Sequence, residues 1–116
     1  MSEYDMNERD GNVESVNAFG GRQSEIPCRF DLIPACALHE VAKVLKEAAK
    51  KYGEGNWRRI TLEDHLSHAL RHGYRACEAH RTGSEDPRGD LVRLACRALL
   101  ALEIGLVGFE FGDENV

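Results

Sequence analysis

Between Pro34 and Tyr52 the apolar residues Leu38, Val41, Leu45, Ala48 and Tyr52 recur at intervals of three and four, and charged residues fill the other faces. That period predicts an amphipathic helix. Pro34 suits its first turn and Asp31 can cap it from outside. A second run, Leu62, Leu66, Ala69, Leu70, Tyr74 and Cys77, predicts a helix from about Thr61 to His80 with those residues buried. Thr61 followed by Asp64 is a capping-box variant at its start. Gly73 in its middle weakens a helix by about 1 kcal/mol relative to alanine, which points to a close helix crossing. The segment RTGSEDP breaks the pattern, and Pro87 opens a third helix through Leu91, Leu94, Ala95, Ala98, Leu99 and Leu102. Asp90 in its first turn is favoured by the helix dipole. This helix is apolar over much of its circumference at ALLALEIGLVGF, so an oligomer partner or a further element is expected to cover it.

Residues 1–24 are polar, contain glycine and show no apolar period, so they read as a disordered N-terminal arm. Residues 25–104 form the helical domain, and residues 105–116 a short C-terminal extension, either a strand or a covering arm. The predicted fold is all-α: a small antiparallel bundle of three main helices. Counting back from the loops puts Glu47 near His65 and His68, Glu40 near His72 and Arg97, and Glu78 near Asp90.

At 116 residues the chain makes one domain at most. Its net charge of −5 gives no support to nucleic-acid binding, so any phosphate must be met by locally grouped cations. No apolar run reaches bilayer length, the N-terminus lacks the order of a secretory signal, and a cytoplasmic protein is expected. Cys28, Cys36, Cys77 and Cys96 are too scattered for a zinc ribbon. The last three sit among alanines and leucines and read as buried, reduced thiols.

The chemistry concentrates in KKYGEGNWRRITLEDHLSHALRH, residues 50–72. Gly53 and Gly55 end the first helix in a sharp turn. Trp57 in that turn either tucks onto the core or stacks on a ligand. His65, His68 and His72 then fall at i, i+3 and i+7, one stripe of a helix. Such a stripe holds a metal, grips phosphate or faces water. Arg71 and Arg75 lie beside it, and Arg93 and Arg97, one turn apart on the third helix, offer a phosphate clamp or a solvated basic face. Glu40 and Glu47 share a side of the first helix, where they reach one divalent site or pair with neighbouring lysines. Facing helices that pool Glu, Asp and His are a common way to hold a divalent ion.

CRFDLIP, the helix ending in KKYGEGNWR, HALRH and CRALLALE together resemble the N-terminal domain of phage dATP/dGTP diphosphohydrolases, relatives of the all-α MazG-like nucleotide pyrophosphohydrolases. The likeness spans roughly Gly20 to Glu103. It implies metal-assisted cleavage of a purine deoxynucleoside triphosphate to the monophosphate and pyrophosphate, in the host cytoplasm if the protein is phage-encoded. By position it carries over Arg29, Asp31, Pro34, Lys51, Tyr52, Gly53, Asn56, Trp57, Arg71, His72 and Arg97. Two departures stand out. The first helix reads Glu40-Val41-Ala42-Lys43, with lysine where an ExxE pair would have its second glutamate. The third opens Arg88-Gly89-Asp90-Leu91, where relatives carry an acidic-His-Leu run.

On that likeness Mg²⁺ or Mn²⁺ is expected. Glu40, Glu47, His65, His68 and Asp90 would hold the metal, and Glu40, Glu47 and His72 would act on the water. Lys50, Lys51, Asn56, Trp57, Arg71 and Arg97 would bind the nucleotide. A homo-oligomer is expected, without membrane or nucleic-acid contacts. The alternatives are a nucleotide-binding or sequestering protein without turnover, and a purely structural module.

Overall fold

The computed structural model describes residues 14–109. By its internal contacts the chain divides at Pro34 into an N-terminal unit and a helical unit from Ala35 onward.

In the N-terminal unit, β1 (Glu14–Val16) and β2 (Arg22–Ser24) pair antiparallel, Glu14 opposite Ser24 and Val16 opposite Arg22. The described part of the expected disordered arm is therefore a hairpin. Its turn is held by Asn17, whose Oδ1 accepts the Phe19 and Gly21 amides at 2.9 and 2.8 Å. The signal was Asn17 with Gly20-Gly21, but strands of three residues show no readable alternation. Residues 1–13, the rest of that arm, lie outside the described residues. A 3-10 turn at Phe30–Leu32 follows, with Arg29 and Asp31 paired at 2.7 Å.

The helical unit holds α1 (Ala35–Tyr52), α2 (Leu62–Thr82) and α3 (Arg88–Val107), so the expected all-α architecture is the one observed. Thr61 caps α2, its Oγ1 accepting the Asp64 amide at 3.2 Å. The third helix runs to Val107, into the expected C-terminal extension, and residues 110–116 lie outside the described residues. No described helix is long and apolar enough to cross a membrane.

α3 packs along α2 and, less extensively, on α1, whereas α1 and α2 barely touch one another. The core is Val41 of α1 with Cys96 and Leu100 of α3, and Val44, Leu45 and Trp57 pack against it. On α2 the buried residues are His65, Ala69, Ala76 and Ala79. The leucine face predicted to be buried is instead exposed: Leu66 is 48%, Leu70 73% and Tyr74 71% accessible, and Cys77 is exposed too. Small side chains let α3 approach α2 closely, so the alanine face wins the contact and the leucine face is left over. Of the cysteines on helices only Cys96 is buried; Cys36 is exposed, and Cys28, Cys36, Cys77 and Cys96 are all free thiols.

Candidate nucleotide site

The turn between α1 and α2 builds one wall of a cleft. Gly53 and Gly55 adopt φ of 93° and 76°, a region that costs other residues strain. The Gly53 amide still donates to Ala49 O at 2.9 Å, closing α1. The chain then coils through a 3-10 turn at Asn56–Arg59. Trp57 is half-buried against the core, with the Arg58 guanidinium 5.0 Å from its ring centre. It both tucks inward and keeps a face on the cleft. Between this turn, the C-terminal half of α1 and α3 lies a space of about 490 Å³. Val44, Leu45, Ala48, Ile60, Cys96 and Leu100 give it an apolar lining, and Asn56, Glu54 and Arg97 add polar groups. A cleft of this size, apolar with a few convergent polar groups, suits a flat heterocycle carrying a charged tail.

Arg97 connects the cleft to α2. Its Nη1 donates to His65 Nδ1 at 3.2 Å, and His65 Nε2 lies 3.0 Å from Trp57 O. A guanidinium only donates and a carbonyl only accepts, so His65 carries its proton on Nε2. It is fully buried, 0% accessible. Burial, first of all, pulls its pKa below the ordinary histidine value, and the Arg97 charge adds to this. A neutral His65 thus ties the turn, α2 and α3 together.

Seven residues further along α2, His72 Nδ1 meets Asp90 Oδ1 at 2.9 Å, and both side chains are only 14% exposed. Asp90 lies seven residues before Arg97 on α3, so these contacts are two rungs of one antiparallel ladder. His65 and His72 thus face Arg97 and Asp90 across the two helices. Arg75 Nε stands 3.6 Å from the other Asp90 oxygen. The hydrogen bond from His72 comes first among the causes that hold the Asp90 carboxyl below its usual range. His68, exposed between the rungs, has its pKa lowered chiefly by Arg97, then by partial burial, His72 and Arg71.

This ladder replaces the expected meeting of carboxylates and imidazoles. Glu47 pairs with Lys50 at 3.5 Å and Glu40 with Lys43 at 3.1 Å, both within α1. Glu40 also lines a second hollow, with Cys36 and Arg88, between α1 and the start of α3. His72 takes Asp90, and Arg97 takes His65, because α3 is the helix that packs on α2. Glu78, expected near Asp90, pairs with Arg81 one turn on. Lys50 and Lys51 stand outside the cleft lining, the Lys51 ammonium 5.1 Å from the Tyr52 ring centre. Arg97, expected near Glu40 and His72, lines the same cleft as Asn56 and Trp57 instead, and Arg71 is exposed on α2 beside His68.

The donors proposed for Mg²⁺ or Mn²⁺ do not fit a metal cage in this arrangement. Both ring nitrogens of His65 are engaged, both oxygens of Asp90 face cationic partners, and Glu40 and Glu47 are held by lysines. Among the described residues no three His, Cys, Asp or Glu side chains gather closely enough to share an ion. The sequence reading missed the pairing of stripes. Its signal was present: Asp90 and Arg97 stand seven residues apart on the third run, as His65 and His72 do on the second.

Comparison with curated proteins and with solved structures gave no match. The turn that carries Asn56 and Trp57, the histidine helix and the arginine helix all fall inside one family match, which extends over residues 17–114. The chain therefore belongs to the family described as dATP/dGTP diphosphohydrolase, N-terminal.

Proposed function

We propose that this chain binds a purine deoxynucleoside triphosphate in the cleft between α1, the glycine turn and α3, and that it serves the reaction in the family's name. In that reaction water attacks the α-phosphorus and the α–β bridge breaks. The monophosphate and pyrophosphate leave. One observation carries the reading: Asn56 and Trp57 of the glycine turn and Arg97 of α3 line a single apolar cleft. Trp57 would stack the base, Asn56 would bond its edge, and Arg97 would receive the first phosphate. Mg²⁺ or Mn²⁺ enters this reading as the companion of the substrate's phosphates.

Hydrolysis also needs a proton acceptor. With Nδ1 donating to Asp90 Oδ1, Nε2 would be the ring atom of His72 that takes the proton. His72 is the residue we assign to that task. Incubation with dATP and dGTP plus Mn²⁺, with chromatography of the products, tests the whole reading. The parent is expected to release monophosphate and pyrophosphate, and His72→Gln to keep nucleotide affinity while losing turnover at least tenfold. Equal rates in parent and variant would remove His72 from the reaction. The dispersal of Glu40, Glu47 and Asp90 favours a second reading, nucleotide sequestration without cleavage, and binding with no product would establish it.

A further inference from the structure

Two charged side chains line the cleft between α1, the glycine turn and α3, and they do not neutralise one another. Arg97 of α3 gives its Nη1 to His65 Nδ1. Glu54 of the turn is exposed and makes no hydrogen bond or ion pair with any described residue. The backbone on either side fixes its place. The Asn56 amide donates to Gly53 O at 3.3 Å, and Gly55, at φ 76° and ψ 5°, has the third-position geometry of a type II turn, so Glu54 stands at the corner of that turn. Only glycine takes the Gly55 conformation without strain, which ties the Gly-Glu-Gly order to the position of this carboxylate. A carboxylate and a guanidinium that share an apolar cleft without pairing suit a ligand with hydrogen-bond donors at one end and negative charge at the other.

We infer that Glu54 makes this cleft selective for guanine over adenine, its carboxylate accepting hydrogen bonds from N1 and from the N2 amine of the base. This rests on the proposed nucleotide reading and narrows its purine to one of two. A carboxylate only accepts. Guanine presents N1–H and the N2 amine side by side, two donors that the two carboxylate oxygens meet as a pair. Adenine presents the lone pair of N1 beside its N6 amine, so one carboxylate oxygen would face another acceptor. Leaving acceptors opposed in this way is what lets a polar site reject a ligand of nearly the same shape. Asn56, two residues on and in the same lining, has an amide that can donate to guanine O6 on the same edge. Glu54 also repels the phosphates at the far end of the ligand, but that cost is the same for either base and leaves the preference intact.

The probes are the α,β-methylene triphosphates of deoxyguanosine, deoxyadenosine and deoxyinosine, which resist cleavage and differ only in the base. Calorimetric titration is run on the parent, on Glu54→Gln and on Glu63→Gln, an exposed α2 position outside the cleft lining that removes the same charge. The parent is expected to hold the guanine probe about tenfold tighter than the adenine probe, with inosine, which keeps N1–H and lacks the N2 amine, between them. Glu54→Gln is expected to lower the guanine-to-adenine ratio about tenfold, because its amide can donate to adenine N1 and accept from N6, whereas Glu63→Gln leaves the ratio within about twofold. Glu54 is exposed and has no partner to lose, so the melting temperature of Glu54→Gln should match the parent's. If all three probes bind the parent equally, the selectivity falls and the nucleotide reading stands. A guanine preference that persists in Glu54→Gln, or inosine bound as tightly as guanine, overturns the role given to Glu54 and also leaves the nucleotide reading standing. No binding of any probe overturns both.

Discussion

His65 has no exposed surface and a partner on each ring nitrogen, and a protonated ring would aim a donor at the Arg97 guanidinium. Its pKa is therefore lower in the folded chain than in the unfolded one, near 6.5 in the latter. Above that pH the ring is neutral in both states and pH has no leverage through it. As pH falls through about 6.5 the unfolded chain takes up the proton more readily, so stability declines toward the lowered folded value, by at most about 1.4 kcal/mol per pH unit. Melting curves between pH 7.5 and 5 should show this decline, and it should flatten in His65→Asn and His65→Gln. The two variants differ otherwise. Asparagine can present an oxygen where Nδ1 accepts from Arg97, and glutamine a nitrogen where Nε2 donates to Trp57 O. Ligand affinity should survive better in the asparagine variant, because that one keeps Arg97 in place. The reverse order would mean that the turn, not Arg97, is what His65 positions.

Among the elements, α2 shows how a propensity argument and a packing argument part company. Gly73 was expected to mark a close crossing, yet a Cβ built there meets the Leu94 side chain at 3.7 Å, ordinary van der Waals contact. The small residues buried on this helix are Ala69, Ala76 and Ala79 instead. Gly73→Ala should thus raise stability by about 0.5–1 kcal/mol, from helix propensity and a filled contact. Denaturant titration will show it as a higher midpoint at unchanged slope. A lower midpoint would mean that α3 cannot tolerate the methyl group. Gly53 and Gly55 are the opposite case: open space surrounds each, and their positive φ alone excludes other residues.

At the scale of the whole molecule, the leucines of α2 leave an exposed apolar stripe. Leu62, Leu66, Leu70 and Tyr74 form a stripe at intervals of four, with Glu63 and Asp64 at one end of the helix and Arg71 and Arg75 farther along. Two copies crossing antiparallel about a twofold axis would cover both stripes and set each acidic end against the other's arginines. Self-association is accordingly expected in sedimentation at tens of micromolar, shifting to monomer in Leu70→Gln with little change in melting temperature. Leu70 is 73% exposed, so the folded chain loses little by the change. A parent that sediments as a monomer over that range would assign the stripe to a different partner.

The boundaries of α1, α2 and α3 were legible in the chain because each cue acts locally. Periods of three and four, Thr61 before Asp64, Gly53 and Gly55 after Tyr52, and Pro87 before the third run each settle the backbone within a few residues. The candidate site was legible as residues and not as an arrangement: Asn56, Trp57 and Arg97 were named, but Arg97 was expected beside Glu40 and His72 and lines the cleft of Asn56 and Trp57. What the sequence could not decide is which stripe of each helix faces which neighbour. On α2 both a leucine stripe and an alanine-histidine stripe run the length of the helix, and periodicity accepts either. α3 selected the second, because alanines permit close approach and because Asp90 and Arg97 find polar partners in His72 and His65. That choice took the imidazoles away from Glu40 and Glu47. Helix formation is dictated by neighbours in the chain, whereas the pairing of helix faces depends on residues tens of positions apart, and only the tertiary structure brings those within reach.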